Sequence, residues 1–294
     1  MLVTGQPFPR NLSQFQAAFP DDAACRAWLA SIRWAAGFAC PGCGGRDGWV
    51  TARRGQMMCR ACGRQVSVTS GTRLEHLRLP LTTLFWAAYL AVTLPGLNSV
   101  TLGRQFGLTS RQTAHRLLTT LRDAMATLPL SPLGGVIEAD EMVVGGVTPG
   151  VRGWKVAGTA KRLVLVAAEQ GTTRTRMVVI ADRRGATLVP LLAQLVAPGS
   201  TVVTDGHSGY AGLPAAGFLW RRVPHPAGGL KRGGAGRATP AVDGAISRYK
   251  RWLLGTYNKP PADYAPYLGE FAFRSEFRRQ PTTAFEALLG QLVG

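Results

Sequence analysis

Two CxxC pairs, Cys40-Pro-Gly-Cys43 and Cys59-Arg-Ala-Cys62, stand fifteen residues apart, each followed directly by a glycine. Knuckles at this separation set four thiolates around one tetrahedral Zn²⁺, and the glycines let backbone amides turn toward the sulfurs. All four ligand positions are filled by protein, so the ion is structural: it closes a ribbon too small to hold itself together. The fifth cysteine, Cys25, has no partner at ligand spacing and recurs with Trp28, Leu29 and Ile32 at helical spacing, as a core thiol does. Metal ligands rather than disulfides suit a reducing, cytosolic compartment. In keeping with that expectation, MLVTGQPFPRNL has no charged segment leading into an apolar core, and the longest apolar stretch, Leu84 to Val92, is too short to span a bilayer.

With 34 Lys and Arg against 16 Asp and Glu, the 294-residue chain carries a formal charge of +18. Self-repulsion of that size points to a polyanionic partner, with nucleic acid ahead of an anionic membrane because no basic amphipathic helix stands out. Arg46, Arg53, Arg54, Arg60 and Arg64 decorate the ribbon. Beyond Pro80, Leu81, Leu84, Phe85, Ala88, Tyr89 and Val92 form a helical apolar face that Pro95-Gly96 ends. Residues 99–118 then have the rhythm of a helix-turn-helix, with Gly107 at the turn and Ser110 to Thr120 as the second helix; Arg111, Gln112, His115 and Arg116 would face a DNA groove. A plain helical hairpin has the same pattern.

After Leu133 the periodicity changes from helix to strand. Strands are expected over Val136 to Val144, Leu163 to Ala168, Arg176 to Ile180, Thr201 to Thr204 and Phe218 to Val223, with a helix over Ala186 to Val196. This order indicates an α/β or α+β domain with a central sheet. The chain divides into a helical lead-in (residues 1–36, helical from Asn11 to Trp34), the ribbon (37–70), the helical DNA-binding region (78–130) and the sheet domain (132–294).

Acids are scarce, yet Glu138, Asp140 and Glu141 fall within one apolar strand. Period-2 geometry sets Glu138 and Asp140 on one face and Glu141 on the other. Carboxylates there are costly to desolvate unless paired or metal-bound; a solvated edge strand is the alternative. Asp205 ends a β-branched run, which suits a site or a simple strand-ending turn. Asp243 and Lys250 share one face of a helix over Ala241 to Tyr257, seven residues apart, and a second helix contains Tyr264 to Arg274. Between the two aspartates no acid occurs from Gly206 to Val242, while Arg221, Arg222, Lys231, Arg232 and Arg237 do. Such a basic, Gly-rich arm suits ordering on a nucleic-acid backbone. Three aspartates from separate elements can converge only by folding, and such a cluster would bind two Mg²⁺ through oxygen ligands.

The chain resembles the DDE-type transposases of bacterial insertion sequences, in the group with an N-terminal zinc ribbon. The resemblance runs through Phe19 to Asp22, Arg33-Trp34, the Cys-Pro-x-Cys-Gly knuckle, Ser70-Gly71-Thr72, Glu138-Ala-Asp-Glu with Gly145-Gly146, Thr204-Asp205-Gly206 with Tyr210, the run from Lys250 to Tyr257, and Tyr267 to Arg274. It departs at Arg274-Ser-Glu-Phe-Arg-Arg279, where the family usually reads Arg-Phe-Asn-Arg-Arg. It implies an RNase H-like fold and metal-dependent cleavage and strand transfer at the element's terminal repeats. Two Mg²⁺ ions, for which Mn²⁺ can substitute, would sit on Asp140, Asp205 and Asp243, with Lys250 the basic residue that follows. Glu138 and Glu141 would support, Glu138 before Glu141. The implied partners are double-stranded DNA, at element ends and target, and further copies of the chain assembled on it, in the nucleoid and not at a membrane. The contrasting reading is a non-catalytic regulator that uses only the ribbon and helix-turn-helix; a nuclease without strand transfer is a third.

Overall fold

A computed structural model describes residues 8–51, 55–145, 161–223, 239–257 and 261–294. The chain forms two compact units, residues 129–278 and residues 1–128 with 279–294.

The first unit begins with two helices where the sequence suggested one: α1 (Leu12–Ala18) and α2 (Asp22–Arg33). Pro20 disfavours helical backbone at Phe19 and breaks the pattern. Asn11 caps α1 and Asp21 caps α2 through their side-chain oxygens. Asp22 serves a different helix: its Oδ1 accepts from the amide of Thr82 at 2.9 Å, in the first turn of α3 (Leu81–Thr93), whose own cap, Pro80, offers no side-chain acceptor. Between α2 and α3 lies a three-stranded antiparallel ribbon, β1 (Gly48–Val50), β2 (Met57–Cys59) and β3 (Gln65–Val66). Its core is only Phe38, Cys40, Cys59 and Val66 with Trp34 and Met57 against them. Arg33 fixes the ribbon's exit by donating to the carbonyls of Ser67, Val68 and Ser70 at 3.1, 2.9 and 2.5 Å, which gives Arg33-Trp34 and Ser70-Gly71-Thr72 a common structural reason. Next come α4 (Ser99–Gln105), a turn with Gly107 at φ 61°, and α5 (Arg111–Thr127), longer than the expected Ser110 to Thr120.

In the second unit, β4 (Val136–Val144), β5 (Arg162–Glu169), β6 (Thr175–Ile180), β7 (Thr201–Thr204) and β8 (Leu219–Arg222) form one sheet in the order β6-β5-β4-β7-β8. Pairing is antiparallel among β6, β5 and β4 and parallel from β4 through β7 to β8, a mixed sheet of RNase H-like kind. Alternation splits β4 between two cores. Ile137 and Ala139 pack with Leu188 and Leu192 of α6 (Gly185–Leu195) and with Tyr210. Met142 and Val144 pack with Val242, Ala245, Tyr249, Leu268 and Phe271 of α7 (Pro240–Thr256) and α8 (Ala265–Glu276). Glu276, inside the segment that departs from the family pattern, pairs with Arg174 at 3.0 Å and Arg176 at 2.8 Å, so the departure is built into the packing of α8 on β6.

The sheet domain was expected to run to residue 294, but the compact unit closes at Arg278. A ninth helix, α9 (Pro281–Val293), packs on α2, α3 and α5 of the first unit, where Phe285 joins Phe19, Trp28 and Phe85. No helix among the described residues is long and apolar enough to cross a membrane.

Candidate metal centre and active site

The four cysteine sulfurs lie within 4.8 Å of one another, with Cys40 and Cys62 3.8 Å apart and Cys43 and Cys59 3.6 Å apart. Four ligands about 2.3 Å from Zn²⁺ in a tetrahedron stand about 3.8 Å apart, so the set fits that ion. Amides of Gly42 and Cys43 aim at the Cys40 sulfur and hold its thiol down to about 6. Cys43 accepts from the amide of Gly45, yet the thiols of Cys62 and Cys59 drive it up to about 12. Four sulfurs this close ionise together only around a cation. Gly45 gives the cluster its room, since a Cβ there would stand 3.2 Å from the Cys59 sulfur and 3.3 Å from that of Cys43. Cys25 is fully buried and its thiol is pushed up to about 12 by burial, the core residue its spacing suggested.

In the second unit, β4 and β7 run parallel with Glu138 opposite Val203. β7 ends at Thr204, so Asp205 stands two residues past Val203 in the turn after its strand, while Asp140 stands two residues past Glu138 within β4. This is also where the sheet changes from antiparallel to parallel pairing, the crevice at strand carboxyl ends where α/β sheets place their sites. Asp140 shares its face of β4 with Met142, toward α7, and Asp243 lies in the first turn of α7, where the helix dipole favours a carboxylate. Burial pushes the Asp140 carboxyl up to about 6, reinforced by the charges of Glu141, Asp205 and Asp243. Asp140 thus feels both of the other aspartates. Among the described residues only the cysteines gather within 4.8 Å, and the aspartate oxygens spread more widely. Carboxylate oxygens, which the three aspartates offer, are the donors that Mg²⁺ takes.

Asp140 accepts from the amide of Glu141 at 2.8 Å and Asp205 from that of His207 at 2.9 Å, which among the described residues leaves carboxylate oxygen free for a ligand in each. Gly206, at φ 86°, turns the chain after Asp205. Lys250 is exposed on α7, seven residues beyond Asp243, about 10 Å along the helix.

The two glutamates have other partners. Glu138 is fully buried; its Oε2 accepts from the amides of Ala241 at 2.6 Å and Val242 at 3.0 Å, and its Oε1 from Gln170 at 2.6 Å. Glu141, on the α6 face, accepts from Arg183 Nε at 2.8 Å and Nη2 at 2.7 Å on one oxygen and from the Tyr210 hydroxyl at 2.5 Å on the other. Tyr210 is fully buried, and burial beside Glu141 raises its phenol well above the ordinary range. Gln170 and Arg183 carried no sequence signal, because each meets its glutamate only across the folded sheet.

Arg111, Gln112, His115 and Arg116 are all exposed on α5, while Ala114, Leu117, Leu118 and Leu121 are buried on its other side. Arg221 and Arg222 are exposed on β8, the latter stacked 4.7 Å over the ring of Trp220. Lys231, Arg232 and Arg237, with the Gly-rich arm, lie outside the described residues, as do Arg53, Arg54 and Gly146.

Residues 132–276 match the sequence model of the ISXO2-like transposase domain, and residues 20–65 match that of the transposase zinc-ribbon domain. No curated protein matches the chain.

Proposed function

The chain belongs to the IS1595-family insertion-sequence transposases, with a zinc ribbon ahead of a DDE domain, and from that premise we propose that it cleaves and joins DNA at Asp140, Asp205 and Asp243. This reading is supported by the β4–β7 pairing, from whose last pair Asp140 and Asp205 each lie two residues on, and by the charges of Asp205 and Asp243 felt at Asp140.

The three carboxylates would hold two Mg²⁺, which would supply activation of the attacking oxygen and neutralisation of the leaving one. Water or a DNA 3′-hydroxyl attacks the phosphorus in line, and the bond to the opposite 3′-oxygen breaks. Partial burial of Asp140 reduces screening by water, so its charge acts more strongly on a cation than it would at the open surface. Lys250 offers its ammonium to a DNA phosphate two turns along α7 from Asp243. Arg111, Gln112, His115 and Arg116 read the terminal repeat from α5. Arg221 and Arg222 contact its backbone, and Lys231, Arg232 and Arg237 extend that basic surface. Two ends are joined in one event, so the protein works as a homo-oligomer assembled on DNA in the nucleoid.

Labelled element-end DNA incubated with the protein, Mg²⁺ and a target plasmid tests the reading. Joined products are expected. Binding without cleavage would identify a regulator, and cleavage without joining a nuclease.

A further inference from the structure

We infer that the two glutamates flanking Asp140 are positioning residues: Glu138 fixes the helix that carries Asp243, and Glu141 fixes the loop that carries Asp205. The inference rests on the metal-site reading above. One strand would then hold the first aspartate and set the places of the other two.

Glu138 reaches the first turn of α7. Its Oε2 accepts from the amides of Ala241 and Val242, just before Asp243, and Thr239, at the cap position, makes no side-chain cap bond. The strand carboxylate therefore supplies the cap that the helix lacks and occupies amides that need an acceptor. Gln170 holds the other oxygen. With its oxygens engaged in three hydrogen bonds at full burial, Glu138 is a poor metal ligand and a rigid strut.

Glu141 leaves the opposite face of the same strand and binds the Tyr210 hydroxyl, five residues beyond Asp205. Between them the loop is pressed against Arg183, whose side chain holds the same glutamate: a Cβ at Gly209 would fall 2.3 Å from the Arg183 carbonyl oxygen. His207 accepts from the amide of Gly209 at 3.1 Å and gives its own amide to Asp205, so the tether runs continuously from Glu141 to Asp205.

Partners that orient ligating groups are worth about 10–100-fold in metal affinity. Mn²⁺ binding, read by electron paramagnetic resonance on the full chain, would be compared for native protein, Glu138→Ala, Glu138→Gln, Tyr210→Phe, Asp205→Ala and Asp243→Ala, with hydrogen exchange at Ala241 and Val242. Glu138→Ala and Tyr210→Phe are expected to weaken Mn²⁺ about tenfold at temperatures where both remain folded, and Glu138→Ala to speed exchange at the two amides. Glu138→Gln keeps an acceptor oxygen and should restore most of the affinity. The inference fails if Glu138→Ala and Tyr210→Phe bind Mn²⁺ as the native protein does while the aspartate variants do not. If the aspartate variants also bind normally, the metal-site reading itself is wrong and takes this inference with it.

Discussion

Arg183→Ala removes the cationic partner that holds Glu141 among the described residues, and the structure sets the size of the effect. The Glu141 side chain is 0% exposed and that of Arg183 20% exposed, with N–H bonds of 2.8 and 2.7 Å to one carboxylate oxygen. Breaking a buried pair by deleting one member costs about 3–5 kcal/mol, because a charge is left uncompensated. The Tyr210 hydroxyl still holds the other oxygen, which puts the loss near the lower end, about 3 kcal/mol. In a unit of 150 residues (129–278), 1 kcal/mol moves Tm by about 2–4 °C, so the variant should melt roughly 6–12 °C lower. Thermal and urea unfolding of the full chain, followed by fluorescence of Trp220 and Trp252, would read it. Arg184→Ala is the control: its pair with Asp182 has the arginine 83% exposed, and solvent screening should leave stability close to native. Combining Arg183→Met and Glu141→Leu with Tyr210→Phe, which removes the buried hydroxyl that would lose its acceptor, should recover most of the stability, since apolar replacement of every member of a buried polar group is often neutral. An Arg183→Ala loss no larger than that of Arg184→Ala would refute the argument that Glu141 is a desolvated, pair-dependent charge.

Chelating zinc under reducing conditions should abolish the β1–β3 ribbon, whose core of a few side chains cannot fold alone, while the five-stranded sheet keeps its far-ultraviolet signal; a ribbon that stays folded without metal contradicts this. Without divalent cation, Asp140 titrates near 6 against an unfolded carboxyl of about 4, so the native state binds the extra proton and its stability falls by about 2–3 kcal/mol as pH rises from 4 to 6. Asp140→Asn should flatten that slope, and Mg²⁺ should raise Tm more at pH 8 than at pH 5. Arg116→Ala should weaken DNA binding and lower the salt slope by about one if the residue meets a phosphate, measurable by fluorescence anisotropy across a salt series.

The strands of the sheet were readable from their residues because β-branched runs such as Thr201–Thr204 and Thr175–Ile180 have no competing helical period. The zinc centre was readable because CxxC spacing fixes geometry locally. The break between α1 and α2 is written in Pro20, and α9 is signalled by Pro281 at its first turn with Ala284, Phe285, Leu288 and Leu292 at helical spacing. That α9 joins the N-terminal helices instead of the sheet is decided by tertiary packing around Phe285 and has no local signature. The same holds for the glutamates: alternation predicted their faces, but not that Glu138 would meet the amides of α7 or Glu141 the hydroxyl of Tyr210.

Cleavage and strand transfer on labelled element-end DNA with Mg²⁺, comparing the native protein with Asp140→Ala, Asp205→Ala and Asp243→Ala, tests the central claim most directly. The account predicts that the native protein cuts and joins, while all three variants bind DNA with native affinity and do neither. Undiminished strand transfer by any one of them would remove that aspartate from the site and contradict the account.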